Sequence, residues 1–212
     1  MFRHGLIVLV LAVLAACKEQ GQGSTPPPWA LGEQPNFSGA MEYWAKGDAI
    51  APAEGSIFAY SYYSDPEGEL VGLGQIKADG SFTFGLVRGA GGYAVPVEQA
   101  ICAGLSLGNA QQKVAIPEVL EVPALYVEGV HARPGGGVLV STQHPIAPGA
   151  PRYQFVYADR DGTVKGSCGG FAINLDLRQG WNSIVWQASE FKTAAIPKEA
   201  RWYFINPLTA GE

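Results

Sequence analysis

A serine between glycines is the first place in this chain where chemistry could be built. Gly104-Leu105-Ser106-Leu107-Gly108 fits the G-x-S-x-G pattern of a nucleophile elbow, a strand-to-helix turn that exposes a serine hydroxyl. Such a serine needs an acid and then a histidine further along the chain. The histidines that follow are His131 and His144, and every aspartate after Ser106 lies beyond both. Glu118, Glu121 or Glu128 could stand in, but the short stretch from Ser106 to His144 cannot hold the doubly wound sheet an elbow requires. Ser106 is therefore expected to be an ordinary residue of a glycine-rich segment. Asp159-Arg160-Asp161-Gly162 opens like a calcium loop, yet position twelve, where a bidentate glutamate belongs, is Gly170. An acidic turn is the expectation there. The soft ligands are His131, His144, Cys102 and Cys168, with neither C-x₂₋₄-C nor H-x₃₋₅-H spacing, so no metal site or cofactor is expected. The aromatics remain: Tyr43-Trp44, Tyr60, Tyr62, Tyr63, Trp181, Trp186 and Trp202-Tyr203. Trp181 and Trp186 are the candidate platform for stacking a sugar or an apolar ligand. The competing reading places most of these rings in the core or at ordinary strand positions.

The N-terminus carries a more specific signal. Met1-Phe2-Arg3-His4-Gly5 is a short positive segment, and Leu6 to Ala16 is an unbroken apolar run. As a helix the run would span about 16 Å, half of the ~30 Å hydrocarbon core, which suits a signal-peptide h-region and not a membrane anchor. It ends in Leu14-Ala15-Ala16-Cys17, which resembles the bacterial lipoprotein lipobox. The resemblance implies a diacylglyceryl group on the Cys17 thiol, cleavage before Cys17 and acylation of the new amino group. Several acyl chains anchor firmly, at ~0.8 kcal/mol per buried CH₂. The next residue is Lys18, not the aspartate that resembles an inner-membrane retention signal, so the outer membrane is favoured if the source has two. Residues 1–16 are read as signal peptide, 17–36 as lipidated cysteine and proline-rich tether, and 37–212 as the body.

Composition narrows what the body is. Among 212 residues there are 28 glycines and 15 prolines, with 16% charged, 47% apolar and a net charge of −5. So many helix breakers argue against a helical bundle, and the apolar content against disorder. An acidic chain with no Lys/Arg run argues against nucleic acid as a partner.

What remains is a series of short strands punctuated by turns. Strands are expected at Ser56 to Tyr63, Glu69 to Lys77 and Ser81 to Leu86, joined by turns at Asp65-Pro66-Glu67-Gly68 and Ala78-Asp79-Gly80. Phe82, Phe84 and Leu86 fall on one face at period two. Further pairs are Leu125 to His131 with Gly137 to Gln143, Tyr153 to Ala158 with Thr163 to Cys168, and Phe171 to Leu177 with Ser183 to Gln187. Arg201 to Ile205 is the last strand. Between the halves, Val97, Ile101 and Leu105 have helical spacing, but Gly104, Gly108 and Pro117 limit any helix. The fold class is all-β, an antiparallel β-sandwich, as one body or two small β-subdomains with a loop-rich middle and a sub-boundary near 89–124. Gly55, Gly72, Gly74 and the Asp79-Gly80-Ser81-Phe82-Thr83-Phe84-Gly85-Leu86 hairpin resemble the transthyretin-like and carboxypeptidase-regulatory-like modules over residues 54–87. That resemblance implies a seven-strand sandwich serving as a spacer or adhesion module, with no active site.

Together these readings predict a lipid-anchored, non-catalytic protein of the cell envelope, a structural or interaction module with an envelope protein or glycan as partner. The alternative is a lipoprotein binding carbohydrate or a small ligand through exposed aromatics, and a hydrolase ranks last. Once Cys17 is lipidated, Cys102 and Cys168 are the remaining thiols, and an exported pair is expected to form a disulfide.

Overall fold

The computed structural model describes residues 25–43, 55–61, 69–101, 106–107, 113–116, 119–122, 125–127, 130–133, 136–143 and 149–205. Within them the N-terminal strands are β1 (Ala30–Gly32), β2 (Asn36–Tyr43), β3 (Gly55–Ser61), β4 (Glu69–Ile76) and β5 (Ser81–Leu86). The middle supplies β6 (Val95–Pro96), β7 (Ser106–Leu107), β8 (Lys113–Ala115), β9 (Val119–Val122), β10 (Leu125–Val127) and β11 (Val130–Arg133). The rest are β12 (Gly136–Ser141), β13 (Arg152–Ala158), β14 (Gly162–Cys168), β15 (Phe171–Leu177), β16 (Gly180–Gln187), β17 (Glu190–Thr193) and β18 (Arg201–Ile205). Between the halves, where helical spacing met helix breakers, the described helix is one turn, α1 (Val97–Ala100), entered from Pro96 and closed by the Ile101 N–H donating to Val97 O.

All the strands but the β10–β11 hairpin join one large sheet, mixed, mostly antiparallel and not closed. Its order is β18-β2-β5-β4-β3-β9-β12-β13-β16-β17-β15-β14-β7, with β1 beside β16 and β8 beside both β13 and β6. The expected meander is present: β3 pairs with β4 and β4 with β5. Its second turn is a three-residue loop in which Gly80 takes φ +82°. The Asp79 carboxylate accepts from the Ser81 N–H at 2.9 Å and its hydroxyl at 2.6 Å, which holds the Asp79 pKa below the usual value. Two glycines of β4 exist for close packing. A Cβ on Gly72 would stand 2.9 Å from the Phe84 ring and 3.0 Å from Leu86.

Three expected pairings are replaced by others. Residues 125–131 break into β10 and part of β11, which pair with each other, whereas β12 takes β9, β13 and β18 as neighbours. The turn at Asp159-Gly162 does not close a hairpin: β13 pairs with β16 and β14 with β15. Nor does Arg178-Gly180, because β17 stands between β15 and β16, parallel to the first and antiparallel to the second. Both turns are corners where the chain changes partner. They are bonded to each other, since Asp161 accepts from the Gln179 N–H at 2.7 Å and from the Arg178 guanidinium at 3.2 Å.

Among the described residues two main hydrophobic cores result, beside a small cluster of Ala150 and Tyr203. In the first, Trp202 of β18 lies with its ring centroid 4.9–6.1 Å from those of Phe37, Phe82, Phe84 and Phe155, which joins four strands through one side chain. β18 pairs with β2 on one edge and β12 on the other, so this half of the sheet curls round while the far end at β7 stays open. In the second, Val164, Ile173 and Leu175 of the β14–β15 hairpin fold back onto Val156 of β13 and Ile184 of β16, with Val97 and Ala100 of α1 beside them.

The body also begins earlier than residue 37. β1 pairs with β16, the Trp29 carbonyl accepts from the Ser183 N–H at 2.8 Å, and the Trp29 indole donates to Asp176 O at 2.9 Å. The segment expected as tether is therefore sheet from Ala30 onward.

Candidate functional site

Trp181 and Trp186 do not form a platform. They are five residues apart on a continuously paired strand, and an odd spacing puts two side chains on opposite faces. Trp181 is fully buried, with its indole donating to Val87 O at 2.9 Å and its ring edge-on to Tyr157. Trp186 is half-buried, stacked on Phe191 at 5.8 Å and 6°, with Phe171 edge-on and the Arg152 guanidinium 5.1 Å above it. Its own N–H is buried and has no hydrogen-bond partner among the described residues.

The other candidates are placed by their backbone neighbours. Ser106 sits in a two-residue strand beside Lys165 of β14, so it does not stand at a strand-to-helix elbow. Asp159 is engaged by Arg160 at 2.7 Å and by the Lys113 N–H at 3.0 Å. Burial pushes its pKa up, but those hydrogen bonds and the two cations outweigh it and the net shift is downward. With Asp161 tied to the corner, the two carboxylates serve the turn and converge on no common point in the bonding pattern. Among the described residues no group of three or more His, Cys, Asp or Glu side chains could hold a metal ion. His131 belongs to β11, opposite Tyr126. Cys17, Cys102, His144, Trp44, Tyr62 and Tyr63 lie outside the described residues. The Cys168 sulfur is 3.8 Å from the carbonyl oxygen of Ile101, the residue before Cys102.

Comparison with known proteins finds no matching family, curated protein or solved structure.

What the structure adds is a cavity of about 300 Å³ inside the second core. Its deep wall is Val156, Ile173, Leu175 and Ile184, all buried, and Ala100 of α1 and the following Ile101 cover it. Half-buried Phe171 and Phe191 stand at its rim, next to Trp186. Among the described residues no charged side chain lines it. Protein interiors leave few voids larger than a water molecule. Alternation puts Phe171, Ile173 and Leu175 on one face of β15, but the gap opposite it depends on which strands meet there. The sequence carries one trace of it: Gln154, a polar residue on the inward side of an otherwise apolar stretch, lines the cavity. A second feature lies on the outer face of β3 and β4. Leu70 and Leu73 are 39% and 52% exposed, directly across from Tyr60 and Phe58, whose rings stack at 6.0 Å.

Proposed function

We propose that this protein is a lipid-anchored, non-catalytic interaction module of the cell envelope, held at the membrane through Cys17. The observation that carries the reading is how the chain leaves the lipobox and joins the sheet. Cys17 and Thr25 are eight residues apart, a reach of at most about 28 Å, and Trp29 is already bonded to β15 and β16. A lipid on Cys17 would keep the body close to the bilayer. The apolar face of Phe58, Tyr60, Leu70 and Leu73 lies on strands well removed from β16 in the sheet order, which leaves it available to a partner protein. In this reading the strands facing each other across the two cores act as sandwich-like layers, and the transthyretin-like resemblance of residues 54–87 belongs to the same proposal.

The test has two arms. Metabolic labelling with a fatty acid marks the wild type and not Cys17→Ser, and the variant leaves the membrane fraction. Label that survives the substitution overturns the anchor. A photo-crosslinking residue at position 73 gives a discrete adduct in intact envelopes, and one at exposed Lys165 does not. Equal behaviour at both positions overturns the interaction face.

A further inference from the structure

We propose that the cavity in the second core is a binding site for a small, uncharged, largely apolar molecule carrying one hydrogen-bonding group. Size sets the first limit. An apolar cavity of about 150 Å³ takes up benzene, so the ~300 Å³ here suits roughly ten to twelve non-hydrogen atoms. The walls set the chemistry. Beside Gln154 and the Cys168 sulfur the described lining is alanine, isoleucine, leucine, valine and phenylalanine, and with no charged side chain among the described residues there an ionised ligand would lose its hydration uncompensated. Among the described residues Gln154 is the one amide in the lining. It is half-buried, and among the described residues its side chain makes no hydrogen bond. An amide with a spare donor and a spare acceptor at the rim matches a hydroxyl or phenol whose tail points inward to Ile173, Leu175 and Ile184. Ala100 decides that the space exists. It is 3% exposed, on the turn that covers the cavity, at a position where a larger aliphatic side chain would enter the gap.

The site is independent of the membrane anchor, so it is tested on the full chain carrying Cys17→Ser, in which no acyl chain competes. The probes are 1-octanol, octanoate at pH 8 and toluene, with binding read by calorimetry and thermal shift. Octanol is expected to bind saturably at one site, and octanoate at least tenfold more weakly. Ala100→Leu is expected to lower octanol affinity at least tenfold while the unliganded melting temperature holds or rises. Gln154→Leu is expected to lower octanol affinity about fivefold and leave toluene affinity unchanged, which decides the matter separately should Ala100→Leu fold poorly. No saturable octanol binding, equal binding of octanoate, or octanol affinity indifferent to both substitutions overturns the proposal.

Discussion

Asn182 is the residue on which the corner between β15 and β16 depends. It is fully buried. Its Oδ1 accepts from the Arg178 N–H at 2.9 Å, and its Nδ2 donates to Arg178 O at 2.7 Å and Gly180 O at 2.9 Å. Gly180 turns the chain there at φ +94°, against Gly32 of β1. Asn182→Ala removes three hydrogen bonds of about 1 kcal/mol each, so a loss of ~3 kcal/mol is expected. Asn182→Asp keeps the shape and the Arg178 N–H bond, but aims a carboxylate oxygen at two carbonyls. An uncompensated buried charge costs ~3–5 kcal/mol, so at pH 7 the aspartate variant is the less stable of the two. Its carboxyl pKa must then be higher folded than unfolded. The penalty is present above the folded pKa and disappears as pH falls to the unfolded value near 3.9. Urea unfolding of the Cys17→Ser chain, followed by far-ultraviolet circular dichroism at pH 7 and pH 4, reads all three proteins. An alanine variant within 1 kcal/mol of the parent, or an aspartate variant at least as stable as alanine at pH 7, would refute the account of this corner.

Three more outcomes follow from the same geometry. Phe84→Ala, which empties a 1% exposed position between Phe37, Trp202 and the backbone at Gly72, should cost ~3–5 kcal/mol in urea unfolding; a loss below 1 kcal/mol would contradict the core assignment. Asp159, whose pKa is depressed in the fold, stabilises it above the unfolded pKa and stops doing so as pH falls through the folded value. The gap in melting temperature between the parent and Asp159→Asn should therefore narrow from pH 6 to pH 3, and a gap constant with pH would contradict this. If Cys102 and Cys168 are bridged, the unreduced, denatured Cys17→Ser chain exported under oxidising conditions should show no titratable thiol, then two after reductant. The 66-residue separation makes the bridge worth about 4 kcal/mol, and two thiols without reductant would exclude it.

The first half of the sheet was legible because local signals suffice there. Ser81 to Leu86 alternates cleanly, Asp79-Gly80 supplies a turn with a left-handed glycine, and the strand ends match. The corners at Asp159-Gly162 and Arg178-Gly180 carry equally good turn residues, yet they do not return the chain to its neighbour. Turn chemistry specifies the reversal of direction and not the partner, which here is chosen by long-range burial of Val164, Ile173 and Leu175. β17 escaped notice because Glu190-Phe191-Lys192-Thr193 is half-buried on both faces and shows no contrast in polarity. The opposite facing of Trp181 and Trp186 is in the sequence once the strand is granted, because five residues along a strand is an odd number. Trp29, a large ring in a proline-rich segment, was the cue that the body starts before residue 37.

Order of synthesis gives the two-edged pairing of β18 a further meaning. Seventeen described strands precede it, and both β2 and β12 wait for it. Until residues 201–205 emerge, each of those strands keeps a bare edge, and the four phenylalanines around Trp202 lack their common neighbour. A chain made N-terminus first cannot complete its larger core until this last strand arrives. A product cut short before residue 201 keeps those edges for good, and a protease or a chaperone can tell it from a finished molecule by that alone.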